Sequence, residues 1–402
     1  MCTAESTPPP PLLTEFPVTN DPLKQRIVAK IASVDPELVA LSNQLHADPE
    51  TGWQEHRSSV AVARVLAAHG FTIEQPYLGL ETAFRAVRQG SGSAPFTVGF
   101  LAEYDALPGL GHACGHNLIS AMSVGGALGL AAAADDAGLT IEVIGTPAEE
   151  GGGGKIELLN RGAFTDLDLA LMAHPAPVDV AEARPFAVTH WHVQYDGTAA
   201  HAAAYPERGV NANDAFLVAQ LGIALLRQQL PAGVRVHGVQ TRGGEAPNAI
   251  PERTEGRWYV RAETTEQLMG LETRVLKCFE AGALATGATL TVTPESERYA
   301  EMRTDEAALD LYRANAVALG RNFDVDPIAA TMNRASTDMG NVSQLVNAIH
   351  PYIGVGGEAS NHQPGFAAAC VGPTAEQTLR DGATALAWTA LDVARQRDAA
   401  GA

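Results

Sequence analysis

The chain has 402 residues, 46% of them hydrophobic and 18% charged, with a formal net charge of -19. That length exceeds one ordinary core and leads us to expect two or three domains. No apolar run approaches the ~20 residues of a membrane span, and the acidic balance excludes a general nucleic-acid binder, which needs a basic stripe to displace phosphate counterions.

The four cysteines, Cys2, Cys114, Cys278 and Cys370, form no CxxC pair. Neither a disulfide framework nor a zinc ribbon is indicated, and a reducing cytoplasm is expected. Residues 1–20 carry a run of four prolines and lack the basic start and apolar core of a secretory leader, so they read as a flexible arm. From Asp21 to about Gly70 the pattern is helical, with Leu38, Leu41 and Leu45 on one face and Gly70 as a stop.

A strand-like Phe96-Thr-Val-Gly-Phe-Leu-Ala follows and ends at Glu103 and Asp105. Residues 117–134, rich in Ala, Gly, Leu and Met, predict a buried helix. Leu139-Thr-Ile-Glu-Val-Ile-Gly reads as a strand ending directly before Glu149-Glu150, and Leu167-Asp-Leu-Ala-Leu-Met-Ala as a third strand ending at His174. Strands alternating with helices predict a mainly parallel α/β sheet, which places ligand sites at the carboxyl ends of its strands.

Between about Pro185 and Met302 the order becomes β-α-β-β-α-β, the ferredoxin-like arrangement. Its strands are expected at Ala187–Tyr195, Val234–Thr241, Gly256–Arg261 and Thr289–Thr293, and its helices at Asn211–Leu230 and Thr265–Thr286. The α/β pattern then resumes with a strand near Ile349–Val355, the His362 loop and a terminal helix from about Ala375. The expected division is a catalytic α/β domain at 21–185 and 303–402, interrupted by an α+β domain at 186–302.

The stretch from Glu103 to Asn117 packs two carboxylates, two imidazoles and a thiol into one glycine-punctuated loop. A two-metal hydrolytic site needs N, O or S ligands, a group shared between the ions, and a carboxylate free to move protons. Cys114, His116, Glu150, His174 and His362 can supply the ligands, leaving Glu149 as the base. Taken singly, each has a duller reading: a buried cysteine as a small hydrophobe, a histidine as a hydrogen-bonded structural residue, Glu149-Glu150 as a solvated acidic pair. The Gly151–Gly154 run favours close backbone approach over the last of these. Glu103 and Asp105 either orient metal-bound imidazoles from behind, or Asp105 caps the following turn. His112 reads as structural. Two rival functions stay open: a metal-free cysteine amidase using Cys114 with His116, and a catalytically silent metal-binding scaffold.

These residues resemble the amidohydrolase branch of the dinuclear aminoacylase, carboxypeptidase G and dipeptidase superfamily. The likeness is nearest to aminobenzoyl-glutamate hydrolases and β-alanyl-lysine-type dipeptidases. It rests on Glu-Tyr-Asp-Ala-Leu-Pro-Gly, His-Ala-Cys-Gly-His-Asn, Thr-Pro-Ala-Glu-Glu-Gly-Gly-Gly-Gly-Lys, Met-Ala-His-Pro and Ser-Asn-His-Gln-Pro-Gly, and covers about residues 25 to 395. Asn117, where many members of the branch have Asp, points to the same subgroup. The resemblance implies two divalent ions per subunit and a 186–302 lid that also mediates homodimerisation. It makes Cys114, His116, Glu150, His174 and His362 the ligands, with the Cys114 thiolate in a bridging place, and Glu149 the general base. It further implies that His201 stabilises the oxyanion in the partner's site, and that Asn248 and Arg261 grip the substrate carbonyl and carboxylate. The implied reaction is hydrolysis of the amide bond of N-acyl amino acids or unusual dipeptides. A thiolate favours zinc, whereas the carboxylates also admit manganese or cobalt.

Overall fold

The computed structural model describes residues 19–90, 95–325 and 334–401. All but the last two residues of the expected N-terminal arm lie outside them. Helix α1 (Pro22–Ala47) begins where the Asp21 carboxylate accepts from the Leu23 and Lys24 N–H groups. The single helical run expected up to Gly70 is interrupted after Asp48. Glu50 turns its carboxylate onto the N–H groups of Arg57 and Ser58, 3.0 and 2.7 Å away, and so starts a second helix, α2 (His56–Ala68).

Two short strands without a clear sequence signal come next, β1 (Thr72–Glu74) and β2 (Phe84–Arg88), followed by β3 (Phe96–Glu103), α3 (His116–Ala131) and β4 (Leu139–Thr146). Every residue of α3 is buried. Its glycines allow this despite their low helix propensity: a Cβ at Gly126 would lie 2.8 Å from the Phe100 ring on β3, and one at Gly125 would lie 2.9 Å from Ala383. Helix α4 (Gly154–Asn160) and the three-residue strands β5 (Leu169–Leu171) and β6 (His174–Ala176) follow.

The third expected strand is therefore two. The chain leaves β5 at Met172, and His174 opens β6 instead of closing β5.

A second unit comprises β7 (Ala187–Asp196), α5 (Ala212–Arg227), β8 (Arg235–Arg242), β9 (Arg253–Ala262), α6 (Thr265–Thr286) and β10 (Thr289–Pro294). Its strands form one antiparallel sheet in the order β10-β7-β9-β8, the ferredoxin-like topology. Trp191, Tyr195, Phe216, Trp258 and Phe279 build it a core of its own.

The chain then returns to the first unit through α7 (Glu306–Ala318), α8 (Met339–Ser343), β11 (Ala348–Ile349), β12 (Tyr352–Gly354), α9 (Pro364–Ala369) and α10 (Pro373–Gly401). The strand expected near Ile349–Val355 breaks at His350-Pro351, where proline has no N–H for a ladder. Its halves join different sheets. β11 extends the main sheet, β1-β2-β4-β3-β5-β11, while β12 pairs in parallel with β6. The main sheet is parallel from β4 to β11, with β1 and β2 added antiparallel at one edge. α2 and α3 pack against it, and α1 and α10 pack in turn against α3, in a mixed α/β architecture. Among the described residues no helix is long and apolar enough to cross a membrane.

Candidate metal centre

The chain delivers its chemical groups at the carboxyl end of the parallel strands. After β3 it runs through Asp105 and two left-handed glycines into Cys114-Gly115-His116, where Gly115 (φ 81°) precedes the first turn of α3. No other residue fits there, because a Cβ would meet the Pro175 ring at 2.8 Å. The sharp turn places Cys114 and His116 on the same cluster. After β4, Pro147 and Ala148 intervene before the acidic pair, and Ala148 is itself left-handed (φ 54°). The buried Glu55 holds that turn by accepting from the Ala148 N–H at 2.8 Å. Tyr299, from the segment after β10, donates its hydroxyl to the Glu149 carbonyl at 2.9 Å.

Hydrogen bonds fix which imidazole nitrogen faces inward. Asp105 Oδ1 lies 3.0 Å from His116 Nδ1, and Asp105 Oδ2 accepts from the Glu150 N–H at 2.9 Å. One carboxylate thus ties the loop after β3 to the turn after β4, and His116 Nε2 is left pointing into the cluster. His174 Nδ1 lies 2.8 Å from the Pro175 carbonyl, leaving Nε2 3.6 Å from Cys114 Sγ. His362, at φ 66°, sits at the exposed rim with Nε2 3.4 Å from Glu150 Oε1.

Two ligand triads result. The donor atoms of Cys114, His116 and His174 lie within 4.8 Å of one another, and so do those of Cys114, Glu150 and His362. Cys114 belongs to both. A third group joins Glu103, His116 and Glu149.

The chemistry of these groups fits cations. Glu103 Oε2, His116 Nε2 and Glu150 Oε1 are buried with no hydrogen-bond partner among the described residues, in a setting where an uncompensated buried ion costs several kcal/mol. Burial, reinforced by Glu103 and Glu150, holds the Glu149 carboxyl well above the usual carboxylate range. Burial and Glu150 likewise push the Cys114 thiol well up. Burial opposes a charged His116, but Asp105, Cys114 and Glu103 together outweigh it and raise its pKa. The cluster as a whole favours added positive charge, and two divalent cations would supply it. The raised thiol is also the reverse of an activated cysteine nucleophile, whose pKa is depressed by cationic surroundings.

A cavity of about 500 Å³ opens over these groups. Cys114, Glu149, Glu150, His174 and His362 line one side. Arg261 enters from β9 with Nη1 donating to Ser336 Oγ at 2.6 Å, and forms no ion pair among the described residues. Burial lowers its pKa. His190, Tyr259, Tyr299 and Tyr352 supply aromatic walls.

His201 and Asn248 are not brought to this cavity. Both are exposed, and they adjoin each other where the Ala202 N–H donates to the Asn248 carbonyl at 3.0 Å.

Of the two residues expected behind the imidazoles, Asp105 contacts His116 Nδ1. Glu103 instead accepts from Lys155 Nζ through Oε1, while Oε2 lies 3.4 Å from His116 Nε2. His112 is buried and stacks against His46, their ring centroids 6.3 Å apart. Glu55, Lys155, Ser336 and Tyr299 carry no distinguishing mark in the sequence, except that Lys155 closes the run Thr-Pro-Ala-Glu-Glu-Gly-Gly-Gly-Gly-Lys.

A family model described as peptidase family M20/M25/M40 matches residues 99–389. An Xaa-Arg dipeptidase of Mus musculus is 41% identical over 384 residues, covering 92% of this chain and 89% of that protein. One of the p-aminobenzoyl-glutamate hydrolase subunits of Escherichia coli is 31% identical over 62% of this chain and 56% of its own length. Among solved structures, the Bacillus subtilis YxeP protein, described as a dinuclear metal-binding peptidase, superimposes with a TM-score of 0.67 at 20% identity. That match covers 90% of this chain and 99% of that one.

Because Asp105 fixes the orientation of His116, Asp105→Ala should weaken divalent-metal binding by about 10–100-fold, read by competition with a chromogenic chelator. Unaltered affinity would show that this carboxylate does not prepare a metal ligand.

Proposed function

We propose that this chain, which belongs to peptidase family M20/M25/M40 and is a hydrolase of peptide bonds, cleaves dipeptides or N-acyl amino acids that carry a free carboxylate next to the scissile amide. The observation that carries the reading is the pair of ligand triads sharing Cys114 in the same cavity as the Arg261 guanidinium, which has no ion-pair partner among the described residues. Cys114, His116 and His174 would hold one divalent ion, and Cys114, Glu150 and His362 the other, with zinc or manganese the best match to the donors. When bound, such ions make a water molecule acidic and polarise a carbonyl.

The protein's own residues do the rest. Arg261 presents a planar fork that takes a substrate carboxylate bidentately, and Ser336 fixes the direction of that fork. With the carboxylate anchored, the adjacent amide reaches over the triads. Glu149 belongs to neither of the two shared triads and lines the cavity. It therefore takes the proton from the attacking water and returns it to the leaving amine. Tyr299 holds its carbonyl, and Glu55 holds the N–H of the preceding Ala148, so the turn that carries Glu149 is fixed at both residues.

His201 and Asn248 then act from a second copy of the chain. In support of this, they sit together on the exposed face of the 186–302 lid, away from their own cavity. The same lid leaves Leu217, Leu221 and Leu225 exposed at four-residue spacing along one face of α5, a stripe that a homodimer would cover.

For substrate, the relatives named Xaa-Arg dipeptidases point to dipeptides ending in arginine or a similar basic residue. The aromatic walls suit that choice through cation–π contact. The p-aminobenzoyl-glutamate hydrolase relative supports aminobenzoyl-glutamate as the second reading.

Metal-loaded protein should hydrolyse alanyl-arginine or β-alanyl-lysine faster than aminobenzoyl-glutamate, and lose activity on chelation. Glu149→Ala should lower kcat by at least about 100-fold with metal content intact, and an unaltered kcat would reject its role. Mixing Glu149→Ala with His201→Ala subunits should restore part of the activity, because a heterodimer contains one site with both residues native. Failure to complement in a proven heterodimer would place His201 outside the partner's site.

A further inference from the structure

We propose that Lys155 is a positioning residue that locks the metal-side half of the site to the carboxylate-gripping half, through Glu103 on one side and Asp338 on the other. Resting on the dinuclear reading above, the proposal gives a task to a buried cation that the reaction itself does not use.

Lys155, Glu103 and Asp338 are all fully buried, and none of them lines the cavity. Lys155 Nζ donates to Glu103 Oε1 and to Asp338 Oδ1, both at 2.6 Å, and its backbone N–H donates to Asp338 Oδ2 at 2.9 Å. Burial works against the ammonium charge, and the two carboxylates outweigh it, leaving the Lys155 pKa raised.

Each contact leads to a functional group one step away. Glu103 has one oxygen tied to Lys155, so the other, which has no hydrogen-bond partner among the described residues, is aimed at the cluster 3.4 Å from His116 Nε2. Asp338 has both oxygens tied, which anchors the end of the segment Ser336-Thr337-Asp338. Ser336 and Thr337 line the cavity, and Ser336 receives Arg261. Lys155 itself cannot wander, because the preceding turn is packed so closely that a Cβ at Gly154 would lie 1.8 Å from the Pro147 carbonyl. That turn also carries Glu149 and Glu150.

The charges are informative. Replacing a buried ionic cluster by apolar residues of the same volume is often neutral or stabilising, so stability is a weak account of three charged side chains here. One lysine against two carboxylates leaves the group with a net charge of -1, and its free oxygen faces the side on which cations would bind.

Two variants of the whole 402-residue chain test this, with zinc as the probe in chelator competition and the best dipeptide of the wild-type panel as substrate. Lys155→Met removes the link and should both weaken zinc binding about tenfold or more and raise KM. Glu103→Gln keeps Asp338 on Lys155, so it should weaken zinc binding with KM unchanged. A Lys155→Met protein that melts like the wild type, with zinc affinity and KM both within twofold, would overturn the proposal. If Lys155→Met does not fold, Glu103→Gln decides, and unchanged zinc affinity there overturns it. Wild-type protein that binds no zinc, manganese or cobalt would instead remove the dinuclear reading itself.

Discussion

The Cys114 sulfur stands within reach of two separate sets of donors, His116 with His174 and Glu150 with His362, and the surrounding architecture serves that sharing. A deprotonatable atom common to both sets is able to bridge a pair of closely spaced cations, and a thiolate suits zinc. Its position depends on Gly115, whose left-handed backbone turns the chain so that residues 114 and 116 face the same space. The helix that begins there, α3, is buried along its whole length. The loop is therefore mounted on an element packed on every face.

Around this centre the acidic groups are placed asymmetrically. Asp105 orients His116 and also holds the Glu150 N–H. Glu103 is held by Lys155 from beneath. Glu149 is left facing the cavity, its backbone held by Tyr299 and its turn by Glu55. Three carboxylates within one loop cluster thus have distinct surroundings, which is how like groups come to serve different ends. The second, ferredoxin-like unit adds the opposite charge: Arg261 on β9 reaches the same cavity and rests on Ser336 of the first unit. Arg261 and the candidate metal ligands consequently meet at the junction of two independently packed cores.

Much of this was legible in the sequence because local signals agreed with the tertiary outcome. The β-α-β-β-α-β order emerged from periodicity and turn residues, and α6 spans the anticipated Thr265–Thr286. The Cys114, His116 and Glu149-Glu150 segments stood out because polar ligand types crowded together beside glycines. Elements whose definition depends on a distant partner were not legible. β5 and β6 read as one strand because the apolar run is continuous, and only pairing with β11 and β12 splits it. Glu55 looks like any acidic residue before a helix until Ala148 approaches it from 93 positions away. Lys155 resembles a surface lysine until Glu103 and Asp338 close over it.

Bridging of two ions by the Cys114 sulfur is tested most directly by anomalous diffraction from crystals of the zinc-loaded protein. Two peaks are expected, each about 2.3 Å from Sγ, one also bound by His116 and His174 and the other by Glu150 and His362. A single peak, or two peaks of which neither contacts Cys114, would contradict the bridge.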